Sequence, residues 1–277
     1  MHRALVLGGG GVTGVAWEWG LLAGLVARGV PVTEADLVVG TSAGSVVGAQ
    51  VCSGLPVERF YSKQLAPPSS ELAARLGFAT LARLIWAGGR TRDAVRSRAR
   101  IGAMAVAART QSEASRRAVI EALLPDWEWP RRRLLITAVD ASSGEFVVFD
   151  SDSGVSLVDA VGASCAVPGV WPPVTIGARR FVDGGMRSSV NADLAADARA
   201  VLVLAPTSAA FGPMPRLSAQ VDALRVAGSR VVVLTPDAAA RTAIGRNVLD
   251  PARRAGAARA GRAQADVVAD EVAALWA

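Results

Sequence analysis

The amino-acid sequence predicts an α/β fold with a mainly parallel sheet. Residues 3–7 are apolar and indicate a short buried strand, which a glycine-rich turn and an apolar helix at about 15–28 follow. A second strand ends at Val38–Val39 and leads through another tight turn into a helix of small residues at 43–53. Strand, turn and helix in this order are typical of parallel strands connected by helices.

Apolar runs in the second half of the chain extend this pattern. The predicted strands are residues 134–140, 146–149, 180–182, 201–204 and 231–234, and the predicted helix is 157–166. The first two of these strands flank a Ser-Ser-Gly turn, which predicts a hairpin. No repeat or linker interrupts the chain, so we expect one domain over residues 1–277.

Two segments differ in composition from the rest of this domain. Residues at about 56–133 are rich in arginine and predict a helical insertion, and an Ala/Arg helix is predicted from about residue 251 to the end. With 277 residues, of which 51% are hydrophobic and 19% charged, the chain can bury a sizeable core. That composition excludes a disordered or fibrous protein.

The net charge of +6 is carried almost entirely by arginine, since Lys63 is the one lysine. Arginine binds phosphate well, which is compatible with a peripheral contact to an anionic membrane surface, although GC-rich coding also produces such a composition. The arginine-dense stretch from Arg90 to Arg117 has no aromatic residue interleaved, so no nucleic-acid partner is expected.

No cofactor or metal is expected, because the chain is poor in the residues that would hold one. Cys52 and Cys165 lie in apolar stretches and offer neither a disulfide framework nor a zinc site. The N-terminal apolar run is too short for a secretory signal, and the longest apolar region contains several glycines and Glu18. We therefore expect a cytoplasmic protein.

A single histidine limits the chemistry further. His2 lies in the N-terminal tail, so a histidine general base and the triad of an α/β-hydrolase are both close to excluded. A nucleophile in this chain would need a carboxylate as its base.

The glycine run Gly8–Gly14 is open to three interpretations. Residues 9–14 fit G-x-G-x-x-G between a strand and a helix, as in dinucleotide-binding sites, and Glu34 and Asp36 follow at the distance of a ribose-binding acid. Backbone N–H groups at a helix N-terminus can equally form an oxyanion hole. The run can also be no more than a tight strand-to-helix turn.

A second motif, Gly40-Thr41-Ser42-Ala43-Gly44, is a G-x-S-x-G pentapeptide at a strand-to-helix junction. A nucleophilic serine on such a turn needs a strained backbone with small neighbours. The positive end of the following helix would favour negative charge on Ser42. Alternatively, Ser42 or Thr41 simply caps the helix.

The third motif supplies the candidate base. Asp183-Gly184-Gly185 places an acid at a strand end, and its glycines allow close approach to another backbone. Taken alone, this sequence also indicates an ordinary turn. The weaker candidates are Asp140, Asp150 and Asp193.

In their order and spacing, these motifs resemble the patatin-like phospholipase family. Residues 137–145 and 163–174 add to the resemblance, which covers roughly 3–55 and 134–205. It implies a three-layer α/β/α fold and cofactor-free hydrolysis of lipid acyl esters by a serine–aspartate dyad. The residues it assigns are Ser42 as nucleophile, Asp183 as base, Gly9, Gly10 and Gly11 as oxyanion hole, and Gly14, Gly40, Gly44, Gly184 and Gly185 as motif glycines.

The chain departs from the family pattern in one place that bears on activity. Thr13 stands where the family usually has arginine or lysine after the glycine run, which removes a positive charge near the predicted oxyanion hole. Two alternatives therefore stay open at this point. One is a catalytically weak or inactive relative that binds lipid or a partner through the same pocket, and the other is a nucleotide-binding protein.

Overall fold

The computed structural model describes residues 2–67, 89, 91–208, 210 and 212–277. Eight strands within these residues form one mixed sheet. They are β1 (Arg3–Leu7), β2 (Leu37–Gly40), β3 (Arg133–Asp140), β4 (Phe146–Phe149), β5 (Val174–Ile176), β6 (Arg179–Asp183), β7 (Ala200–Leu204) and β8 (Arg230–Leu234).

The sheet is mostly parallel, as the sequence predicts. Its order is β5-β6-β3-β2-β1-β7-β8, with β4 also paired to β3. Neighbours from β3 to β8 in this order run parallel, whereas β4, β5 and β6 are joined by antiparallel pairs at one end. Because β1 lies in the middle of the parallel part, the loops after β1, β2 and β7 meet at one edge of the sheet.

Nine α-helices occur in the described residues. They are α1 (Gly11–Ala27), α2 (Ala43–Cys52), α3 (Val57–Leu65), α4 (Ala94–Ala107), α5 (Glu113–Leu123), α6 (Leu157–Ser164), α7 (Leu217–Val226), α8 (Ala238–Ile244) and α9 (Arg254–Trp276). Of these helices, none combines the length and apolar character needed to cross a bilayer.

Helices cover both faces of the sheet because its central strands are apolar on both sides. Along β1, Leu5 and Leu7 point into one core with α1, α2, α6 and α9. Ala4 and Val6 alternate with them and point into a second core with α7. The predicted three-layer α/β/α arrangement is confirmed.

The C-terminal helix packs more closely than its sequence suggests. Valine and leucine in its last turns lie in the core, but its first half contacts α1 through glycine and alanine. A Cβ on Gly20 would overlap the carbonyl oxygen of Ala258, and one on Gly261 would overlap the carbonyl oxygen of Trp17. These absent side chains let the two helices approach closely.

The predicted insertion at 56–133 contains α3, α4 and α5, but residues 68–88 and 90 lie outside the described part of the chain. Asp93 caps α4 by accepting hydrogen bonds from the Val95 and Arg96 amides, and Ser112 caps α5. Ala105 of α4 packs with residues of β3 and β6, while α5 packs beside α6. Both helices therefore lie at the antiparallel end of the sheet.

Candidate active site

Ser42 lies on the tight turn between β2 and α2. Its backbone has φ 52° and ψ −118°, a conformation in the left-handed region that a non-glycine residue adopts only when its surroundings enforce it. The residue is 9% exposed and stands directly before the first turn of α2. This is the strained strand-to-helix geometry that the G-x-S-x-G spacing predicts.

The flanking glycines make this turn possible. A Cβ on Gly40 would lie 2.6 Å from the Cα of Ser45, and one on Gly44 would overlap the carbonyl oxygen of Leu7. The Gly44 amide donates to the Gly8 carbonyl at 3.0 Å, which ties the turn to the start of the glycine run. Neither position has room for a larger residue.

The register of the sheet brings Asp183 to the same level as this turn. Gly40 of β2 pairs with Ile136 of β3, and Asp183 of β6 pairs with Ala138, two residues further along β3. Because β6 runs antiparallel to β3, its last residue returns toward the turn that follows β2. Residues 141 positions apart in the sequence thus become neighbours.

The Ser42 hydroxyl lies close enough to the Asp183 carboxyl group to act on its pKa. Asp183 is 3% exposed, and its Oδ1 accepts a hydrogen bond of 2.7 Å from the Gly185 amide. Burial raises the pKa of Asp183 from 3.8 to about 6, although the Ser42 hydroxyl and the Gly185 amide act to lower it. The carboxyl group can therefore change its charge close to neutral pH.

The end of α6 holds both residues in place. The Ser42 amide donates to Ser164 Oγ at 2.9 Å, and Cys165 Sγ donates to the Ser42 carbonyl at 3.2 Å. The Asp183 amide donates to the Ala166 carbonyl at 3.1 Å. Residues 163–174 belong to the family resemblance, but no pattern in the sequence predicts this supporting role for them.

A buried polar network joins the serine turn to the Asp-Gly-Gly loop. Asn191 donates through Nδ2 to Thr41 Oγ1 at 3.0 Å and to the Ser188 carbonyl at 2.9 Å. Thr137 Oγ1 donates to Thr41 Oγ1 at 3.0 Å, and a Cβ on Gly184 would overlap the Thr137 hydroxyl. No local pattern singled out Thr137 or Asn191, because their contacts are made only in the folded sheet.

The glycine run lies against Ser42, but its three predicted donors are not equivalent. A Cβ on Gly9 would lie 3.4 Å from the Ser42 Cβ. The Gly9 amide, however, already donates to the Ser189 carbonyl at 2.7 Å. Within the part of the chain that the structure describes, neither the Gly10 nor the Gly11 amide donates a hydrogen bond. These two amides at the N-terminus of α1 are the ones available to an anion.

Two polar side chains of α1 near the glycine run are fully buried. Thr13 is fully buried and donates through Oγ1 to the Val248 carbonyl at 3.2 Å, so it ties α1 to the loop before α9. Glu18 on the same helix is also fully buried, and burial raises its pKa well above the usual range. In the sequence, Glu18 is evident only as a charge within an apolar region.

The weaker candidates for the base are engaged elsewhere. Asp140 is 2% exposed and accepts hydrogen bonds from Ser142, Ser143 and Arg179, which together hold its pKa well below the usual range despite its burial. Asp193 forms a two-pronged pair with Arg187. Asp150 bonds to Ser153 at the end of the hairpin.

The acids proposed for a bound ribose lie at the wrong end of the sheet. Asp36 precedes β2 and accepts a hydrogen bond of 2.7 Å from the Arg3 amide at the start of β1, and His2 is 3.7 Å from the same carboxylate. The glycine run follows the opposite end of β1, so the expectation that Glu34 or Asp36 serves a nucleotide there is wrong. No three metal-binding side chains cluster among the residues described.

The chain is similar to a known protein family. A family model described as patatin-like phospholipase matches residues 5–196, which is more than half of the chain and includes all three motifs. No curated protein sequence matches the chain.

Two solved structures are similar in outline. The crystal structure of VipD from Legionella pneumophila is 14% identical with a TM-score of 0.48, and the match covers 98% of this chain and 67% of that one. The type III effector protein ExoU is 16% identical with a TM-score of 0.43, and the match covers 98% of this chain and 53% of that one. Because the family model spans most of the chain, the protein belongs to the patatin-like phospholipase family.

Proposed function

We propose that this protein is a lipid acyl hydrolase that cleaves carboxylic esters through a dyad of Ser42 and Asp183. The observation that carries the proposal is the position of the Ser42 hydroxyl beside the buried carboxyl group of Asp183, whose pKa is about 6. A carboxylate with a raised pKa is a better base than an ordinary aspartate. Family membership supports lipid esters as the substrate class.

In the first step, Asp183 takes the proton of the Ser42 hydroxyl as its oxygen attacks the ester carbonyl. The carbonyl oxygen becomes an oxyanion, and the amides of Gly10 and Gly11 with the positive end of α1 are placed to stabilise it. The alcohol then leaves with the proton that Asp183 held. An acyl group remains on Ser42.

In the second step, Asp183 takes a proton from water, and the resulting hydroxide attacks the acyl-enzyme. Collapse of the second tetrahedral intermediate releases the carboxylic acid and returns the proton to Ser42 Oγ. The clamp formed by Ser164, Cys165 and Ala166 keeps both side chains in register throughout. The proposal places this reaction in a single domain in the cytoplasm, at the surface of an anionic membrane that the net charge of +6 favours.

The direct test is covalent labelling of the wild-type protein by a fluorophosphonate probe, followed by hydrolysis of p-nitrophenyl butyrate. We expect labelling at Ser42, located by mass spectrometry of the digested protein, and burst kinetics from the acyl-enzyme. Absence of both labelling and hydrolysis in a folded protein would favour the inactive lipid-binding relative instead.

The rate should depend on pH through the ionisation of Asp183. Because only the carboxylate accepts a proton, kcat/KM for p-nitrophenyl butyrate is expected to rise about tenfold per pH unit below 6 and to level off above it. Circular dichroism at each pH serves as the control for folding. A profile that is flat from pH 5 to 8 contradicts a base with this pKa.

A further inference from the structure

Arg116 in α5 is a half-buried arginine that pairs with no carboxylate among the described residues. Its guanidinium carbon lies 4.1 Å from the centroid of the Trp171 ring. The Nε atom is buried and has no hydrogen-bond partner, and no carboxylate among the described residues pairs with the side chain. Burial accordingly lowers the pKa of Arg116. A guanidinium in this position has lost hydration that nothing in the described structure replaces.

Two other arginines that stack on aromatic rings form ion pairs, whereas none is formed by Arg3 over Trp276 among the described residues. Arg179 lies over Phe181 and pairs with Asp140, and Arg187 lies over Phe146 and pairs with Asp193. The next residue along α5, Arg117, is held by Glu121 and Asp159. Arg116 therefore differs from Arg117, Arg179 and Arg187, because its side chain forms no ion pair among the described residues.

The segment after α6 lies between Arg116 and the dyad and contacts both. Trp171 belongs to this segment, in which its amide donates to the Val167 carbonyl at 3.0 Å, and Cys165 of the same segment bonds to the Ser42 carbonyl. The charges of Arg116 and Asp183 both act on the pKa of the Cys165 thiol, which burial raises to about 11. Arg116 and the dyad thus both lie close to Cys165.

We propose that Arg116, oriented by the Trp171 ring, binds the phosphate of an anionic phospholipid head group while the ester of that lipid lies at Ser42. The inference rests on the proposed function and gives its substrate class. A guanidinium offers parallel N–H donors that match phosphate oxygens, and stacking on a ring fixes its plane.

Binding to the Ser42→Ala variant tests this without turnover. Calorimetry measures the binding of three ligands, which are dodecyl phosphate, inorganic phosphate and dodecyl maltoside. Each ligand is titrated into Ser42→Ala and into three double variants that combine Ser42→Ala with Arg116→Gln, Arg116→Lys or Arg109→Gln. Arg109 is an exposed arginine after α4 and serves as the control. We expect Arg116→Gln to weaken the binding of dodecyl phosphate about 10- to 100-fold, the range for one hydrogen bond between charged groups. Arg116→Lys should weaken it less, and Arg109→Gln should leave it unchanged.

Three results would overturn the inference. In the first, the affinity for dodecyl phosphate is the same with and without Arg116. In the second, Arg116→Gln lowers the affinities for dodecyl phosphate and dodecyl maltoside equally. In the third, inorganic phosphate binds as tightly as dodecyl phosphate. The last result would indicate a site for free phosphate. Thermal unfolding of each variant shows whether it is folded.

A kinetic comparison separates this inference from the proposed function. Lysophosphatidic acid and monoacylglycerol with the same acyl chain differ only in the phosphate. The ratio of their kcat/KM values is expected to fall about 10- to 100-fold in Arg116→Gln. If the enzyme is active and this ratio is unchanged, only the role of Arg116 is contradicted. If the wild-type protein binds dodecyl phosphate but hydrolyses neither lipid, only the proposed function is contradicted.

Discussion

Replacing Ser42 by alanine is expected to lower kcat/KM for p-nitrophenyl butyrate by roughly 10⁴- to 10⁶-fold, the range for loss of a catalytic serine. The substitution removes only the hydroxyl group. The backbone at φ 52° keeps its contacts with Ser164 and Cys165. Fluorophosphonate labelling should disappear with the activity. Thermal unfolding should show that the fold survives.

Ser53→Ala is the matched control for this experiment. Ser53 lies at the other end of α2, where its hydroxyl donates to the Gln50 carbonyl at 2.6 Å, away from the turn that carries Ser42. Its variant should keep wild-type activity and labelling. If Ser42→Ala retains a tenth or more of the wild-type rate, Ser42 is not the nucleophile.

Replacing Asp183 by asparagine should have opposite effects on activity and stability. Loss of the general base is expected to lower kcat/KM about 10²- to 10⁴-fold. The amide oxygen of asparagine can still accept the Gly185 hydrogen bond, so the loop should keep its shape. The fold should become more stable at pH 8, because a buried charge is removed.

The sign of the stability change follows from the pKa. Since folding raises the pKa of Asp183 from 3.8 to about 6, its ionisation lowers the stability of the fold as the pH rises from 3.8 to 6. This loss is complete above pH 6 and absent below pH 3.8. The shift corresponds to about 3 kcal/mol as an upper bound. Urea unfolding at pH 8 measures the free energy of unfolding for wild type and Asp183→Asn, and equal values would contradict the buried-charge account.

Asp140→Asn provides the contrast on the neighbouring strand. The hydrogen bonds and Arg179 hold the pKa of Asp140 well below its usual range, so its ionised form stabilises the fold at neutral pH. This variant should be less stable than wild type at pH 8. Asp150→Asn, at the exposed end of the hairpin, should change neither activity nor stability appreciably.

Local motifs predicted the parallel strands and the serine turn because both depend on short-range constraints. Residues 3–7 and the strand before Ser42 are buried on both faces, so their apolar runs mark them clearly. Gly40 and Gly44 are required by contacts within the turn and with the adjacent strand. Helix α1 begins at Gly11, four residues earlier than predicted, because the glycine run itself forms its first turn.

Long-range packing was harder to foresee. Val268, Val272 and Leu275 recur at helical spacing and mark an apolar side of the last helix, yet its first half contacts α1 through glycine and alanine. Small residues carry little hydrophobic signal, and their role becomes visible only when two backbones meet.

The amino-acid sequence by itself determined the fold class, the family resemblance and the absence of an imidazole near any nucleophile. Only the folded sheet decided that Asp183, rather than Asp140 or Asp193, reaches Ser42, since strand pairing sets that proximity over 141 residues. In the folded chain the Gly9 amide donates to the Ser189 carbonyl, which leaves the Gly10 and Gly11 amides for an anion. Among the described residues, no carboxylate pairs with Arg116. Burial and hydrogen bonding tune each of these groups, and both arise from neighbours distant in sequence.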